Sequence, residues 1–278
     1  MTFYAKKICW MILWLIASIA FFGAHAAGAA GTNQVLMPAL SRNESFIHES
    51  TGVTINYGNA SQGYVMIKHE KTDWKLKVRI SMGKTVYTYD LNNKGKFEVF
   101  PLQMGDGNYR ILIYKNEEKD NYTLLTGKTI IVALANPHIS YLYPNQYVDY
   151  TETSKAVAKA ADLCKGLETE REKFKAIYNF CSRRIVYNYQ LALTPSKERN
   201  TSVDKVLDER KGICLDYAVL MACMLRSQGI PTQVVIGHAD GIYHAWNKVL
   251  LDGKWYRCDA TYAATGGTAQ VYQEERRY

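Results

Sequence analysis

The segment from Lys211 to Pro231 reads KGICLDYAVLMACMLRSQGIP and predicts one buried helix with sharp limits. The helix is predicted to begin at or near Cys214. It ends at Gly229, because glycine adopts the left-handed conformation and Pro231 cannot continue a helix. Its apolar positions repeat at helical spacing: Ala218, Met221, Ala222 and Leu225. Cys214 therefore lies at a helix N-terminus, where free N–H groups favour a thiolate and can bind an oxyanion.

The segment from His244 to Tyr262, HAWNKVLLDGKWYRCDATY, predicts a β-hairpin that follows a strand over Gln233–Ile236. Asp252-Gly253 is a strong two-residue turn signal between two strand-like runs. Counting outward from this turn, Trp246 faces Asp259 and His244 faces Thr261. His244 and Asp259 are then diagonal neighbours on one face, close enough for a side-chain hydrogen bond. A register shift of one residue would separate them.

These segments carry the motifs G-x-C-x-[DE]-[YF]-A, L-R-x-x-G-I-P, H-A-W-N-x-V, D-G-x-W and D-x-T in order. Together they resemble the transglutaminase-like superfamily, and the match covers about Tyr150 to Tyr262. The resemblance implies a papain-like core with Cys214 as nucleophile, His244 as base and acid, and Asp259 as the residue that orients His244. It implies a protein or peptide amide as substrate. The sequence shows nothing like the calcium sites of the animal cross-linking enzymes, so no metal site and no cofactor are expected.

Several neighbouring residues have more than one interpretation. His238 lies in a predicted Gly-rich loop and is treated as a rim residue, and Asp252 belongs to the turn. Asp216 is interpreted as a helix-stabilising residue of the first turn. Trp246 either shields the His244–Asp259 pair from water or packs in the core. An oxyanion side chain is expected upstream of Cys214, and three candidates stay open: Tyr187, Tyr189 and Gln190.

The N-terminal 26 residues are predicted to be a signal peptide. Lys6 and Lys7 precede the apolar run Ile8–Phe22, and Ala24-His25-Ala26 fits the small-x-small cleavage pattern. An uncleaved membrane anchor is the alternative. Either reading predicts a secreted or cell-surface protein, without a stable membrane span if the signal is cleaved.

The rest of the chain is predicted to form two domains, with an α+β fold class overall. Residues 27–50 are predicted to be a linker, and residues 51–135 an Ig-like antiparallel β-sandwich of seven or eight short strands. The last two of these strands, Tyr122–Leu125 and Thr129–Leu134, are separated by a predicted turn at Thr126-Gly127. Residues 136–150 are predicted to be a second linker, and residues 151–278 the transglutaminase-like domain. A β-sandwich joined to such a domain is similar to exported proteins of anaerobic gut-type bacteria.

The composition argues against several classes of partner and site. The net charge of +8 comes without a Lys/Arg stripe, so nucleic acid is not an expected partner. The cysteines are too sparse for a disulfide scaffold and match no zinc spacing. The favoured function is cysteine-dependent hydrolysis of amide bonds through a thioester, with acyl transfer as a variant. Two alternatives are an inert binding or scaffolding protein and a cell-wall amidase or cross-linking enzyme whose β-domain binds a cell-wall or surface component.

Overall fold

The computed structural model describes residues 35–194 and 201–278. The predicted signal peptide and the first part of the predicted linker at 27–50 lie outside these residues. Within the described ranges, no helix combines the length and the apolar character needed to cross a bilayer.

The N-terminal half is a β-sandwich of two four-stranded antiparallel sheets around one core. Residues of both sheets, such as Ile55 and Phe100 on one and Val78 and Ile111 on the other, are fully buried in that core. One sheet has the order β1-β2-β3-β6 and the other β5-β4-β7-β8. The strands are β1 (Ile47–Ser50), β2 (Val53–Asn56), β3 (Tyr64–His69), β4 (Leu76–Met82), β5 (Thr85–Leu91), β6 (Glu98–Pro101), β7 (Gly107–Glu118) and β8 (Asn121–Val132).

Two features of the sandwich differ from the sequence prediction. β1 lies inside the predicted linker at 27–50 and pairs with β2. The predicted turn at Thr126-Gly127 is wrong, because β8 runs through it as one strand with a local register shift. A Cβ at position 127 would contact the Leu112 side chain and come within 2.8 Å of the Ile111 carbonyl oxygen. Glycine is therefore needed here for close strand approach, not for a turn.

The C-terminal half packs helices against a third four-stranded antiparallel sheet, of order β13-β12-β11-β14. The long buried helix α5 is central to its core, which also takes residues from α1, α2 and α4. The elements are α1 (Lys155–Leu163), α2 (Glu170–Arg184), β9 (Val186–Tyr187), α3 (Tyr189–Leu193), α4 (Val203–Glu209), β10 (Lys211–Gly212), α5 (Cys214–Arg226), β11 (Thr232–Ala239), β12 (Ile242–Leu251), β13 (Lys254–Cys258), α6 (Ala260–Thr265) and β14 (Tyr272–Arg277).

The segment from 136 to 150, predicted to be a linker, is packed rather than exposed. Tyr141, Val148 and Tyr150 are almost fully buried, and a 3-10 turn spans Ile139–Tyr141. Tyr147 packs against the cores of both halves, and its ring stacks on Tyr278 with centroids 3.5 Å apart. The two halves therefore share buried side chains at this segment.

Arg226, the last residue of α5, is a charged residue that is only 1% exposed. Its guanidinium donates hydrogen bonds to three separate segments. Its Nε donates to the carbonyl of Thr232 at 2.9 Å, its Nη1 to that of Tyr143 at 2.8 Å, and its Nη2 to that of Tyr278 at 2.9 Å. Burial lowers the pKa of Arg226 to about 10, so the guanidinium stays charged at neutral pH. This one side chain fixes the helix end to the connecting segment and to the residue after β14.

The predicted register of the C-terminal hairpin is confirmed near its turn and ends earlier than expected. Leu251 pairs with Lys254 and Leu250 with Trp255, as counted from Asp252-Gly253. The last pair of the ladder is Asn247 with Cys258. The expected pairing of His244 with Thr261 is wrong, because the chain turns into α6 after Asp259 and Thr261 is helical.

Candidate active site

Cys214 is the first residue of α5, as the sequence predicts, and its side chain is half-buried. Ile213 before it is extended, which sets the chain direction into the helix. Asp216 accepts a hydrogen bond from the Ile213 N–H at 2.8 Å and a second from the Thr201 hydroxyl at 2.9 Å. Gly212 permits this, because a Cβ there would lie 2.6 Å from the Asp216 Cβ. Asp216 thus fixes the helix start beside the thiol, consistent with its predicted supporting role.

His244 and Asp259 are brought together by the two strands of the hairpin. His244 lies on β12 opposite Gly237 of β11, and its Nε2 is 2.7 Å from Asp259 Oδ2. Asp259 follows β13 directly and is the N-cap of α6. Its Oδ1 accepts the N–H groups of Thr261 and Tyr262, each at 3.0 Å. Both side chains are nearly buried, at 6% and 8% exposure. The carboxylate is therefore fixed by a helix start and cannot turn away from the imidazole.

Cys214 is close enough to the His244 ring to contribute to the shift of its pKa. Since Nε2 is bonded to Asp259, Nδ1 is the ring nitrogen available to the thiol. Burial lowers the pKa of His244, but the hydrogen bonds and charges of Asp259 and Cys214 outweigh it and raise the pKa to about 9. The imidazole is therefore protonated at neutral pH.

Aromatic rings enclose the pair. Trp246 is 1% exposed and stacks over His244 with centroids 6.3 Å apart, while the Tyr262 ring lies 4.7 Å away from the imidazole. Trp246 pairs with Val235 of β11, and the β12–β13 ladder has ended before it reaches Asp259. The observed register leads toward the expected position of Trp246 opposite Asp259, but the paired ladder does not extend to these two residues. Trp246 covers the imidazole.

The three candidates for the oxyanion side chain differ in burial and in surroundings. Tyr187, on β9, is half-buried, and burial followed by the charge of Cys214 raises its pKa. Tyr189 stacks edge-on against Tyr187 at 4.9 Å but is 66% exposed on α3, and Gln190 is also exposed. Of the three, Tyr187 is the one whose charge environment includes Cys214. His238 differs from its prediction: it lies in β11, which is longer than expected, and its Nδ1 is 3.0 Å from Glu275.

Two residues of the site were not identified from the sequence. Tyr262 follows the D-x-T motif directly, so its closeness to Asp259 could have suggested it. Tyr272 donates its hydroxyl to Asp259 Oδ2 at 3.0 Å. No local pattern marks Tyr272, because it reaches the site through the pairing of β14 with β11.

The other cysteines differ from Cys214 in environment. All five described cysteines are free. Cys164, Cys181 and Cys223 are buried, and burial raises the pKa of each thiol, for Cys181 to about 12. Cys258 precedes Asp259, and burial likewise raises its pKa. Such thiols stay protonated at neutral pH and are poor nucleophiles.

Part of the chain is similar to known proteins. The family model of the transglutaminase-like superfamily matches residues 157–260, a span that contains Cys214, His244 and Asp259. Kyphoscoliosis peptidase of Homo sapiens is 28% identical over 116 residues, and that of Mus musculus is 27% identical. The alignment covers 37% of this chain but 17% of each relative, so the chain corresponds to a small part of those proteins.

Solved structures give a more distant likeness. A crystal structure titled as a candidate cysteine protease from Cytophaga hutchinsonii has a TM-score of 0.40 at 18% identity, with 78% of this chain and 83% of that chain covered. Red sea bream transglutaminase has a TM-score of 0.32 at 12% identity, with 74% and 49% covered. The segment 157–260, which carries Cys214, His244 and Asp259, is therefore similar to the transglutaminase-like superfamily.

Proposed function

We propose that this protein is a cysteine-dependent hydrolase or acyltransferase that acts on amide bonds of proteins or peptides through Cys214, His244 and Asp259. The observation that carries the proposal is geometric: His244 Nε2 lies 2.7 Å from Asp259 Oδ2, and Cys214 is the first residue of α5. The raised pKa of His244, about 9, supports a protonated ring at neutral pH. A nucleophile, an acid–base group and an orienting carboxylate in this order are the parts that acyl transfer requires.

The reaction begins when the Cys214 thiolate attacks the carbonyl carbon of the amide. A C–S bond forms, and the carbonyl electrons move to oxygen, where the N–H groups at the start of α5 stabilise the oxyanion. His244 gives its Nδ1 proton to the amide nitrogen, the C–N bond breaks, and the amine leaves a thioester on Cys214. His244, now neutral, accepts a proton from a water molecule whose oxygen attacks the thioester carbonyl and forms a C–O bond. The C–S bond then breaks, which releases the carboxylic acid and returns Cys214 to the thiolate form. An amine in place of water gives a new amide.

We favour water over an amine as the acceptor, and the two can be separated by product mass. Hydrolysis of a peptide bond adds the mass of one water, and transfer adds the mass of the acceptor. Unstructured peptides of known sequence are incubated with the protein, with and without hydroxylamine, a small amine that converts thioesters to hydroxamates. Products are identified by mass spectrometry.

The role of Cys214 is tested in the same assay with the variant Cys214→Ala. We expect it to lose hydrolysis and hydroxamate formation completely while its unfolding curve stays close to that of the wild type. Cys164→Ala is the matched control, because it removes a buried thiol from the residue that follows α1, outside the site. Turnover that survives in Cys214→Ala would refute the proposed mechanism.

We also propose that the protein acts outside the cytoplasm. The support is the pattern of the first 26 residues, with Lys6 and Lys7 before the apolar run Ile8–Phe22. Expression of the full chain in a bacterial host, followed by fractionation and N-terminal sequencing, tests it. A mature N-terminus at Ala27 in the exported fraction is the expected result, and an uncut chain in the cytoplasm would refute it.

A further inference from the structure

Tyr272 lies on β14, beyond the segment that the family model matches. Its hydroxyl donates to Asp259 Oδ2 at 3.0 Å, the same oxygen that lies 2.7 Å from His244 Nε2. The Asp259 carboxylate thus has four partners: two backbone N–H groups on Oδ1, and the imidazole and the phenol on Oδ2. The phenol is the one of these four that neither the hairpin nor α6 supplies.

We propose that Tyr272 is a positioning residue for the His244–Asp259 pair, and that its hydroxyl both fixes Oδ2 and withdraws charge from it. The kinetic consequence rests on the proposed function; the effect on His244 itself does not. A second donor on the same oxygen spreads the carboxylate charge, which weakens the hold of Asp259 on the imidazolium proton. His244 is then acidic enough to pass its Nδ1 proton to the leaving amine.

The Tyr272 ring is fixed from two sides. The Trp246 ring meets it edge-on at a centroid distance of 4.9 Å, and the Arg257 guanidinium lies 4.0 Å over its face. Trp246 also stacks on His244, so one indole orders both partners of Asp259. A cation over the ring face draws electrons from the phenol and makes its hydroxyl a better donor.

The backbone that carries Tyr272 is also fixed. Tyr272 pairs with Ala239 of β11, and the chain before it is bonded to the turn between β11 and β12. There the Asp240 carboxylate accepts the N–H groups of Gln270 and Val271, the latter at 2.8 Å. After β14, the Tyr278 carbonyl accepts from the buried Arg226. Both ends of β14 are therefore tied to the rest of the fold, and Tyr272 has little freedom to leave Asp259.

Tyr272 remains a donor over the working pH range. Burial, and next the negative charge of Asp259, raise its pKa well above the usual value for tyrosine. Titratable or charged groups on four elements also lie near the His244–Asp259 pair. Cys214 of α5 and Tyr262 of α6 lie near His244, and the hydroxyl of Tyr178 on α2 donates to the Asp259 carbonyl. Arg257 of β13 lies over the face of the Tyr272 ring. Tyr262 and Tyr178 also have raised pKa values because of burial, so neither ionises near neutral pH.

The test compares Tyr272→Phe with Tyr256→Phe. Each variant removes one tyrosine hydroxyl from the same sheet, but Tyr256 lies on β13 and contacts Arg171, away from Asp259. The readout is the titration of His244 by NMR of histidine-labelled protein, with the signal assigned from a His244→Gln variant. It needs no substrate, so it stays valid even if the wild type hydrolyses no peptide.

We expect Tyr272→Phe to raise the pKa of His244 by about half a unit. Where turnover is measurable, kcat should fall about three- to tenfold with KM unchanged, because a weaker acid protonates the leaving amine more slowly. Tyr256→Phe should leave both quantities at wild-type values. A His244 titration unchanged in Tyr272→Phe, or shifted equally in both variants, would overturn the proposal. A wild type without turnover would count against the proposed function alone.

Discussion

Arg226→Met is expected to destabilise the protein strongly while leaving Cys214, His244 and Asp259 chemically intact. The substitution removes three donors whose acceptors are buried carbonyls of Thr232, Tyr143 and Tyr278. Hydrogen bonds from a charged group are worth about 1.5–3 kcal/mol each, so three of them total roughly 4–9 kcal/mol. Methionine carries no charge, so the variant avoids the free-energy cost of burying the guanidinium. The fall of the Arg226 pKa from 12.5 to about 10 corresponds to a cost of about 3 kcal/mol. The net loss is therefore roughly 1–6 kcal/mol, with a middle value of about 3 kcal/mol, a large part of the stability of an ordinary domain.

Urea unfolding followed by far-UV circular dichroism and by tyrosine fluorescence measures this loss. Arg110→Met is the control, since Arg110 is exposed on β7 and should change the free energy of unfolding by less than about 0.5 kcal/mol. Arg226→Met should also make the two halves unfold at different urea concentrations, because the shared anchor at Tyr143 and Tyr278 is gone. A loss below about 1 kcal/mol would refute the reasoning, because it would mean that an apolar side chain replaces the charged network without penalty.

Two further predictions concern pH and packing. The pKa of His244 is raised from 6.5 to about 9 in the folded state, so its contribution to stability is complete below about pH 6.5 and is lost as pH rises to about 9. The free energy of unfolding of the wild type should fall by roughly 2–3 kcal/mol across this window. The variant Asp259→Asn keeps the Oδ1 cap of α6, and its free energy of unfolding should fall much less. Equal pH profiles of the two proteins in urea unfolding would contradict the assignment. Gly127→Ala should cost about 1–3 kcal/mol because its Cβ meets the Ile111 carbonyl oxygen at 2.8 Å, and a thermal melt equal to the wild type would show that β8 yields there instead.

The parts of the fold that the sequence predicted well are those set by local chemistry. Gly229 and Pro231 can end a helix whatever surrounds them, and α5 does end just before them. Asp252-Gly253 is a turn signal in its own right, so the register near it follows by counting. The closeness of His244 and Asp259 was expected from that count and from the family resemblance, although the paired ladder itself ends at Asn247 and Cys258.

The parts that could not be predicted depend on contacts between distant segments. Gly127 has the composition of a turn, but its role is to let β8 approach Leu112 on β7. Ile47–Ser50 is a strand because β2 offers it an open edge, not because of its own four residues. Tyr272 reaches Asp259 only through the pairing of β14 with β11, and no spacing within the chain encodes that pairing.

Asp259 has two roles, as the N-cap of α6 and as the partner of His244, and this affects how long evolution would retain it. One of its oxygens caps α6 and the other holds His244, so a substitution that ended catalysis would also weaken a helix start. An N-cap is worth about 1 kcal/mol, enough for selection on folding alone to retain an aspartate here. Cys214 has no capping role of this kind. In related proteins that have lost the catalytic activity, we expect Cys214 to be substituted first and Asp259 last.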